Sequence, residues 1–288
     1  MLQQRDISAI QDRARRMKEK VRQLVPQEFA PCPLCPQVHS VLECDGYTIE
    51  NVRIQTLPDT WLGINVYIPG DPGPYPAIVV PMGHWPKGKA IADNQILCAN
   101  LARNGFVVAT FDPICQGERR MWTDAELIAH VGQVPEDMHA VAMHMVPGNL
   151  FYMMGKHLMS LFIHDGQRVI DYVCSRSDVD VQRIGVTGQS GGGTQATYLA
   201  VLDDRVKVYS PIQCLSSMPR MLPDGIGDCE QSPIGLCQRE AFEYADILWA
   251  ALPKPVMVNG ALRDSFPIEG LKELDGEMHQ VYELLGLS

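Results

Sequence analysis

The first pattern along the chain is a helical repeat of apolar residues between positions 6 and 25. Apolar positions recur every three or four residues, which predicts an amphipathic helix with one narrow apolar stripe. The stripe consists of Ile7, Ile10, Ala14, Met17, Val21 and Leu24. The opposite face is basic, and Pro26 ends the helix because proline cannot continue its hydrogen bonding. We expect an N-terminal arm docked on the domain; a dimerisation seam, and with it a homo-oligomer, is the alternative.

From Tyr47 onward, short apolar runs alternate with helical patterns. Strands are predicted at residues 49–54, 61–68, 77–80, 106–111, 184–187, 206–212 and 255–260. Helices are predicted at residues 91–104, 157–174, 195–202, 242–252 and 269–285. Strands that alternate with helices imply right-handed βαβ units. The sequence therefore predicts an α/β fold with a doubly wound, mostly parallel sheet.

The segment between the arm and the first strand is rich in proline and cysteine. Cys32, Cys35, His39 and Cys44 begin with the C-x2-C spacing of a zinc knuckle, but their later spacing is irregular. We therefore predict a linker and no metal site. The chain divides on this basis into residues 1–46, the arm and linker, and residues 47–288, the α/β domain.

Two stretches have no clear period. Residues 121–158 contain a group of methionines: Met121, Met138, Met143, Met145, Met153 and Met154. They predict a Met-rich helical insertion, either a lid over the site or a set of helices that packs into the core; methionine clusters favour core packing. Residues 213–238 are predicted to be loop.

Composition limits the class of protein. With 288 residues, 46% hydrophobic and 20% charged residues, the chain is long enough for one large globular domain or two small ones. A net charge of −10 argues against a nucleic-acid partner, and no apolar run reaches the length of a membrane span. Nine cysteines on a chain without a signal-peptide pattern favour scattered free thiols and a reducing, cytoplasmic location.

The most informative motif surrounds Ser190. A β-branched run at residues 184–187 leads into Gly188-Gln-Ser-Gly-Gly192, and a helical pattern follows. A strand, G-x-S-x-G and a helix together predict a nucleophile elbow, in which small neighbours allow a strained serine to project from the sheet. A phosphate-binding loop would need G-K-[ST], and a dinucleotide fingerprint G-x-G-x-x-G; neither is present. A chance match in a glycine-rich turn is the remaining alternative.

Together with this elbow, three segments resemble the α/β-hydrolase fold, and above all the acetyl-xylan-esterase-like serine hydrolases. Residues 81–85 are similar to the oxyanion loop of those enzymes, and residues 112–119 to a D-x-x-G-x-G-E-R turn. Residues 258–264 with Phe266 and Pro267 are similar to their acid-bearing loop. The resemblance covers residues 47–288 and implies a serine esterase that needs no cofactor.

Acyl transfer by a serine requires a base, an acid that orients the base, and two N–H groups for the oxyanion. Chain order in this fold is serine, acid, histidine. The resemblance therefore implies Ser190 as nucleophile and Asp264 as acid, although a turn-capping role for Asp264 is the alternative. The oxyanion would bind the amide of Gly191 and one from His84 or Trp85, and Gln189 beside the serine is a candidate for substrate binding.

The catalytic histidine is the difficulty. The fold places it after the last strand, whereas the only histidine after Asp264 is His279, inside a predicted helix. Our leading hypothesis is a fragment cut before the final strand and its histidine. His279 or His84 as a substitute, and a non-catalytic homologue, are the alternatives.

The predicted function is hydrolysis of small or acetylated carbohydrate esters, with the ester specificity implied by the resemblance alone. A serine peptidase of the prolyl-oligopeptidase type is an alternative, although 46 residues before the first strand cannot supply its usual propeller domain. A binding protein built on an inactive hydrolase is another. The expected partner is a small-molecule ester, and no nucleic acid or membrane is expected.

Overall fold

The computed structural model describes residues 7–30, 32–221 and 243–287, and these ranges hold a seven-stranded sheet flanked by helices. The strands are β1 (Gln37–Cys44), β2 (Tyr47–Leu57), β3 (Thr60–Pro69), β4 (Tyr75–Pro81), β5 (Val107–Phe111), β6 (Val179–Gln189) and β7 (Val206–Ile212). The helices are α1 (Ile7–Leu24), α2 (Ala92–Arg103), α3 (Asp124–Val131), α4 (His139–Met153), α5 (Met159–Ser175), α6 (Gly191–Leu202), α7 (Met218–Met221), α8 (Tyr244–Ala251) and α9 (Ile268–Leu284).

The sheet combines an antiparallel edge with a parallel centre. The strand order is β1-β2-β3-β5-β4-β6-β7. Strands β1, β2, β3 and β5 pair antiparallel, and β5, β4, β6 and β7 pair parallel. Residues 255–259 extend the parallel part, because Val256 bridges Tyr209 and Asn259 bridges Ile212. All parallel strands therefore end at one edge of the sheet, where sites in this class of fold form.

The two faces of the sheet bury alternate residues of the same strands. On one face, Val80 of β4 and Val108 of β5 pack against Cys98 and Ala102 of α2. On the other, Val79 and its neighbours join the main core with α1, α5, α6, α8 and α9. This division confirms the predicted doubly wound α/β architecture.

The N-terminal arm docks on the second face. Ile10, Met17 and Val21 of its stripe are buried, and α1 packs against α8 and α6. The Arg13 guanidinium lies 4.2 Å from the Trp249 ring centre and 3.0 Å from Asp246 Oδ1. The predicted docked arm is confirmed, since its apolar face is covered by the same chain.

Two expectations need correction. Residues 37–44, expected to be linker, form β1, an edge strand whose side chains are almost all exposed on both faces. The core-filler interpretation of the methionines holds for buried Met143 but is wrong for Met121, Met138, Met145, Met153 and Met154, which are exposed. Of the predicted loop at residues 213–238, the described part contains α7, and residues 222–238 lie outside the described ranges.

None of the described helices is long and apolar enough to cross a membrane.

Candidate active site

Ser190 occupies a sharp turn between β6 and α6. Its backbone has φ 55° and ψ −126°, a conformation that costs a non-glycine residue about 1–3 kcal/mol. Two hydrogen bonds hold it: Ser190 N–H donates to the Ile212 carbonyl at 2.8 Å, and the Ser190 carbonyl accepts from Thr194 N–H at 3.0 Å. A strained serine fixed in this way between strand and helix is the geometry of a nucleophile elbow.

Glycines around the serine allow the backbones to pass closely. A Cβ on Gly192 would lie 3.0 Å from both Gly83 N and the Met82 carbonyl carbon, and would also collide with the Pro81 carbonyl. A Cβ on Gly83 would lie 3.3 Å from Ser190 Cβ. The loop that follows β4 is therefore in direct contact with the elbow, as its predicted oxyanion role requires.

The structure distinguishes between the candidate oxyanion donors. Gly191 is the first residue of α6 and is buried, so its amide lies at the positive end of the helix dipole. Trp85 N–H donates to the Gly83 carbonyl at 2.9 Å, which makes Trp85 the weaker candidate for the second donor, and His84 directly follows Gly83, which contacts the elbow.

A histidine pair lies beside the same loop. His84 Nε2 is 2.8 Å from His144 Nδ1, and His144 Nε2 is 2.7 Å from the Ile114 carbonyl oxygen. Because a carbonyl can only accept, His144 carries its proton on Nε2, and in neutral His144 the Nδ1 atom accepts from His84. Because His144 lies in α4, this hydrogen bond joins the Met-rich insertion to His84, the residue that follows Gly83.

Asp264 follows the ladder of residues 255–259. Its Oδ1 accepts from Phe266 N–H at 3.3 Å and from Ser265 Oγ at 3.4 Å. Its Oδ2 is buried and has no hydrogen-bond partner among the described residues. A buried carboxylate oxygen of this kind is costly, and it is the atom that a triad acid presents to its base.

Cys214 connects the acid to the elbow helix. A Cβ on Gly193 would lie 2.5 Å from Cys214 Sγ, so the thiol fills the space beside the first turn of α6. Burial, and then the charge of nearby Asp264, raise the pKa of this thiol well above its usual range. Ser190 directly follows β6 and Asp264 follows the ladder of residues 255–259, so both lie at the carboxyl edge of the sheet, and Cys214 lies near both Asp264 and the first turn of α6.

The structure does not bring His279 to this place. His279 lies eleven residues into α9, roughly 16 Å along the helix axis from Ile268. Its side chain is 72% exposed, and its Nδ1 lies 3.0 Å from the Asp275 carbonyl. All eight histidines of the sequence fall within the described ranges, and none of them hydrogen-bonds Asp264.

A cavity of about 210 Å³ lies next to the elbow, and its lining includes Gln189, the predicted substrate-binding residue, and Trp85, one of the two candidates for the second oxyanion donor. The Gln189 amide donates to Gln213 Oε1 at 2.5 Å, and Gln213 has a left-handed φ of 50°. An indole and a pair of planar amides give this cavity both an apolar wall and polar groups that can orient a ligand.

A buried clamp, which the sequence alone did not predict, lies behind the loop after β4 and consists of Asp112, Lys89 and Glu118. The Asp112 carboxylate accepts from Lys89 N–H at 2.6 Å, from Lys89 Nζ at 3.0 Å and from Glu118 N–H at 3.3 Å. Lys89 also bonds Glu118 Oε2 at 2.7 Å. Gly88 and Gly117 both have positive φ, and a Cβ on either would collide with the Asp112 carboxylate. The two glycines were the available signal, because each marks a turn that only glycine can make at so short a distance.

Comparison with known proteins agrees with this geometry. No protein-family model matches the chain. "Putative hydrolase YtaP" of Bacillus subtilis (strain 168) is 48% identical over 54 residues, which are 19% of this chain and 18% of that protein. Among solved structures, methylesterase BT1017 is 25% identical with a TM-score of 0.60, covering 87% of this chain and 51% of that one.

Two further solved structures are similar in fold. A "putative acetyl xylan esterase" from Bacteroides fragilis NCTC 9343 has a TM-score of 0.72 at 15% identity, covering 98% of this chain and 74% of that one. A glucuronoyl esterase from Solibacter usitatus has a TM-score of 0.62 at 15% identity, covering 93% and 80%. This chain covers about half the length of methylesterase BT1017, and the 54 residues matched to YtaP cover under a fifth of that protein. Sheet order, elbow and these similarities together define an α/β-hydrolase fold.

Proposed function

We propose that this chain is a serine hydrolase of carboxylic esters that acts through an acyl-enzyme on Ser190. The observation that carries the proposal is the left-handed conformation of Ser190 between β6 and α6, packed against the loop after β4. Asp264 is the acid of this proposal, and the amides of Gly191 and His84 form the oxyanion hole.

In the reaction, Ser190 Oγ gives its proton to a base and attacks the ester carbonyl carbon. The carbonyl oxygen becomes an oxyanion, and the two amides stabilise it. Collapse of this tetrahedral species breaks the bond to the alcohol, which leaves with the proton. Water then attacks the acyl-enzyme and releases the acid.

Small or acetylated carbohydrate esters are the proposed substrates. Three of the similar structures bear the names methylesterase, acetyl xylan esterase and glucuronoyl esterase, which all describe esterases. The cavity beside the elbow supports this choice, because Trp85 offers a flat apolar face and Gln189 and Gln213 offer amides to hydroxyl groups.

The test is labelling with a fluorophosphonate, which reacts with activated serines. We expect one label, on Ser190, that is lost in Ser190→Ala and kept in Ser40→Ala, an exposed serine of β1 remote from the site. Faster hydrolysis of p-nitrophenyl acetate than of a peptide anilide would support an esterase over a peptidase. A folded chain that takes up no label would contradict the proposal.

A non-catalytic homologue is the second candidate, and one observation favours it: none of the eight histidines, all within the described ranges, hydrogen-bonds Asp264. Without a positioned base, we expect turnover far below that of a complete triad, leaving the residual catalysis of oxyanion hole and binding. Added imidazole separates the two candidates. If Ser190 is a nucleophile served by Asp264, imidazole raises the labelling rate, and Asp264→Asn reduces that gain; an inert homologue shows neither effect.

A further inference from the structure

We propose that Gln116 is a positioning residue that aims the second oxyanion donor, the amide of His84. Its side chain is 1% exposed and lies behind the loop that contacts Ser190. The inference rests on the proposed function, because it assigns a role in stabilising an oxyanion formed at Ser190.

The argument begins with the Gly83 carbonyl. This oxygen accepts two hydrogen bonds, one from Gln116 Nε2 and one from Trp85 N–H at 2.9 Å. A peptide unit is planar and trans, so its C=O and the following N–H point in opposite directions. Fixing the Gly83 carbonyl toward Gln116 therefore aims the His84 N–H away from Gln116.

The elbow lies against the same loop. A Cβ on Gly83 would lie 3.3 Å from Ser190 Cβ and would collide with the Gln189 carbonyl. The preceding peptide is fixed from the elbow helix, because Gln195 Nε2 donates to the Met82 carbonyl at 3.2 Å. Two buried glutamines thus hold consecutive peptide planes, Gln195 from α6 and Gln116 from the turn after β5.

Gln116 is itself held rigidly. Its carbonyl accepts from Arg119 N–H at 2.8 Å, and Cys115 N–H donates to the Arg119 carbonyl at 3.0 Å, which closes the turn around it. Arg119 is anchored in turn by Asp165 Oδ2 at 2.6 Å. Gln116 Oε1 is buried without a partner among the described residues, so the amide has one hydrogen bond here, and that bond is to Gly83.

The experiment compares Gln116→Met, which keeps the volume and removes the donor, with Gln95→Met. Gln95 makes the same kind of bond, Nε2 to the Ala90 carbonyl at 2.7 Å, but on the exposed face of α2. Loss of an oxyanion donor lowers kcat by about 10²–10³-fold. We expect Gln116→Met to lower the labelling rate of Ser190, and kcat on p-nitrophenyl acetate, by about 10²-fold with KM nearly unchanged. Gln95→Met should match the wild type.

Hydrogen–deuterium exchange gives a readout that is independent of activity. In Gln116→Met, exchange at residues 83–85 should become faster while β4 keeps wild-type protection. Gln116→Glu, which retains the shape and lacks the donor at neutral pH, serves if the methionine variant does not fold.

The outcomes separate the two proposals. Labelling of the wild type with an unchanged rate in Gln116→Met would overturn the positioning role and leave the serine hydrolase standing. A wild type that is never labelled would remove the hydrolase, and unchanged exchange at residues 83–85 would then overturn the positioning role as well. Faster exchange confined to that loop would support it.

Discussion

The two halves of the candidate site are built differently. Around Ser190, three backbone segments pack closely together, namely residues 81–83, residues 188–193 and Ile212, and buried side-chain amides fix two peptide planes of the first segment. Around Asp264, the loop is exposed on both sides of the carboxylate, and the two hydrogen bonds to Oδ1 come from adjacent residues. We call these the nucleophile half and the acid half.

The difference follows from what each half must do. A serine in a left-handed conformation persists only where neighbouring structure over-determines it. An acid has no such strain and needs only a partner for its charge. The comparison predicts that substitutions in the nucleophile half act on folding, whereas those in the acid half act on chemistry.

Lys89→Met should have the largest effect. It removes the buried ammonium, 6% exposed, that lies between Asp112 and Glu118, and breaking a buried ion pair costs about 3–5 kcal/mol. Urea unfolding measures the loss. Arg15→Met is the control, because Arg15 and Asp12 form an exposed pair whose removal should change the free energy of unfolding by less than about 0.5 kcal/mol. Equal effects of the two variants would contradict the clamp.

Gly192→Ala should cost about 2–3 kcal/mol, because its Cβ meets only backbone atoms of residues 81–83, which cannot move aside. Gly276→Ala in α9, where a Cβ would meet nothing within 4 Å, should instead stabilise by about 0.5–1 kcal/mol. Thermal unfolding of the two variants gives shifts of opposite sign if the backbones around Ser190 pack as closely as described. Stabilisation by Gly192→Ala would contradict that close packing.

Asp264→Asn should leave the free energy of unfolding within about 1 kcal/mol of the wild type, and on the stabilising side. The substitution removes the negative charge of a carboxylate whose Oδ2 is buried without a partner among the described residues. Asparagine retains an oxygen that can accept from Phe266 N–H. If Asp264 is instead a turn cap, Asp264→Asn should keep the wild-type stability, whereas Asp264→Ala, which removes the acceptor for Phe266 N–H, should lose about 1 kcal/mol. Chemical denaturation decides between a catalytic acid and a cap.

Cys214 should not react with iodoacetamide at pH 8 in the folded chain, so treatment with the reagent should leave this thiol unmodified. Burial and the Asp264 charge raise the pKa of its thiol, and the thiolate is the reactive form, so the protonated thiol persists well above neutral pH. The exposed Cys35 is the internal comparison and should be alkylated. Mass spectrometry of the labelled peptides gives both results, and a rapidly alkylated Cys214 would show that the acid half opens.

Much of the nucleophile half was accessible from sequence because its signals are local. The β-branched run before Gly188, the G-x-S-x-G and the helix after it lie within about twenty residues, and each has a direct backbone cause. The oxyanion loop at residues 81–85 was instead predicted from the resemblance to known hydrolases. The contact of this loop with the elbow depends on the strand order, which the alternating pattern does not specify.

Other features depend on pairs of residues far apart in the chain. Asp112 contacts Lys89 across 23 residues, and His84 contacts His144 across 60, so no local pattern identifies either pair. Gly88 and Gly117 mark only the turns on which the first pair lies. Strand β1 was missed because an edge strand exposed on both faces lacks the alternation that marks a half-buried strand. The prediction that the exposed methionines pack into the core was wrong because methionine is common in cores and the sequence does not show which residues surround each one.

One carboxylate, that of Asp112, fixes the turns after both β4 and β5. Conformational entropy is lost when a loop becomes ordered, and a loop that closes on its ligand loses it again at every cycle. Here both turns are already ordered in the free chain. The entropy lost in ordering this loop is therefore part of the free energy of folding. It does not reduce the free energy of ligand binding.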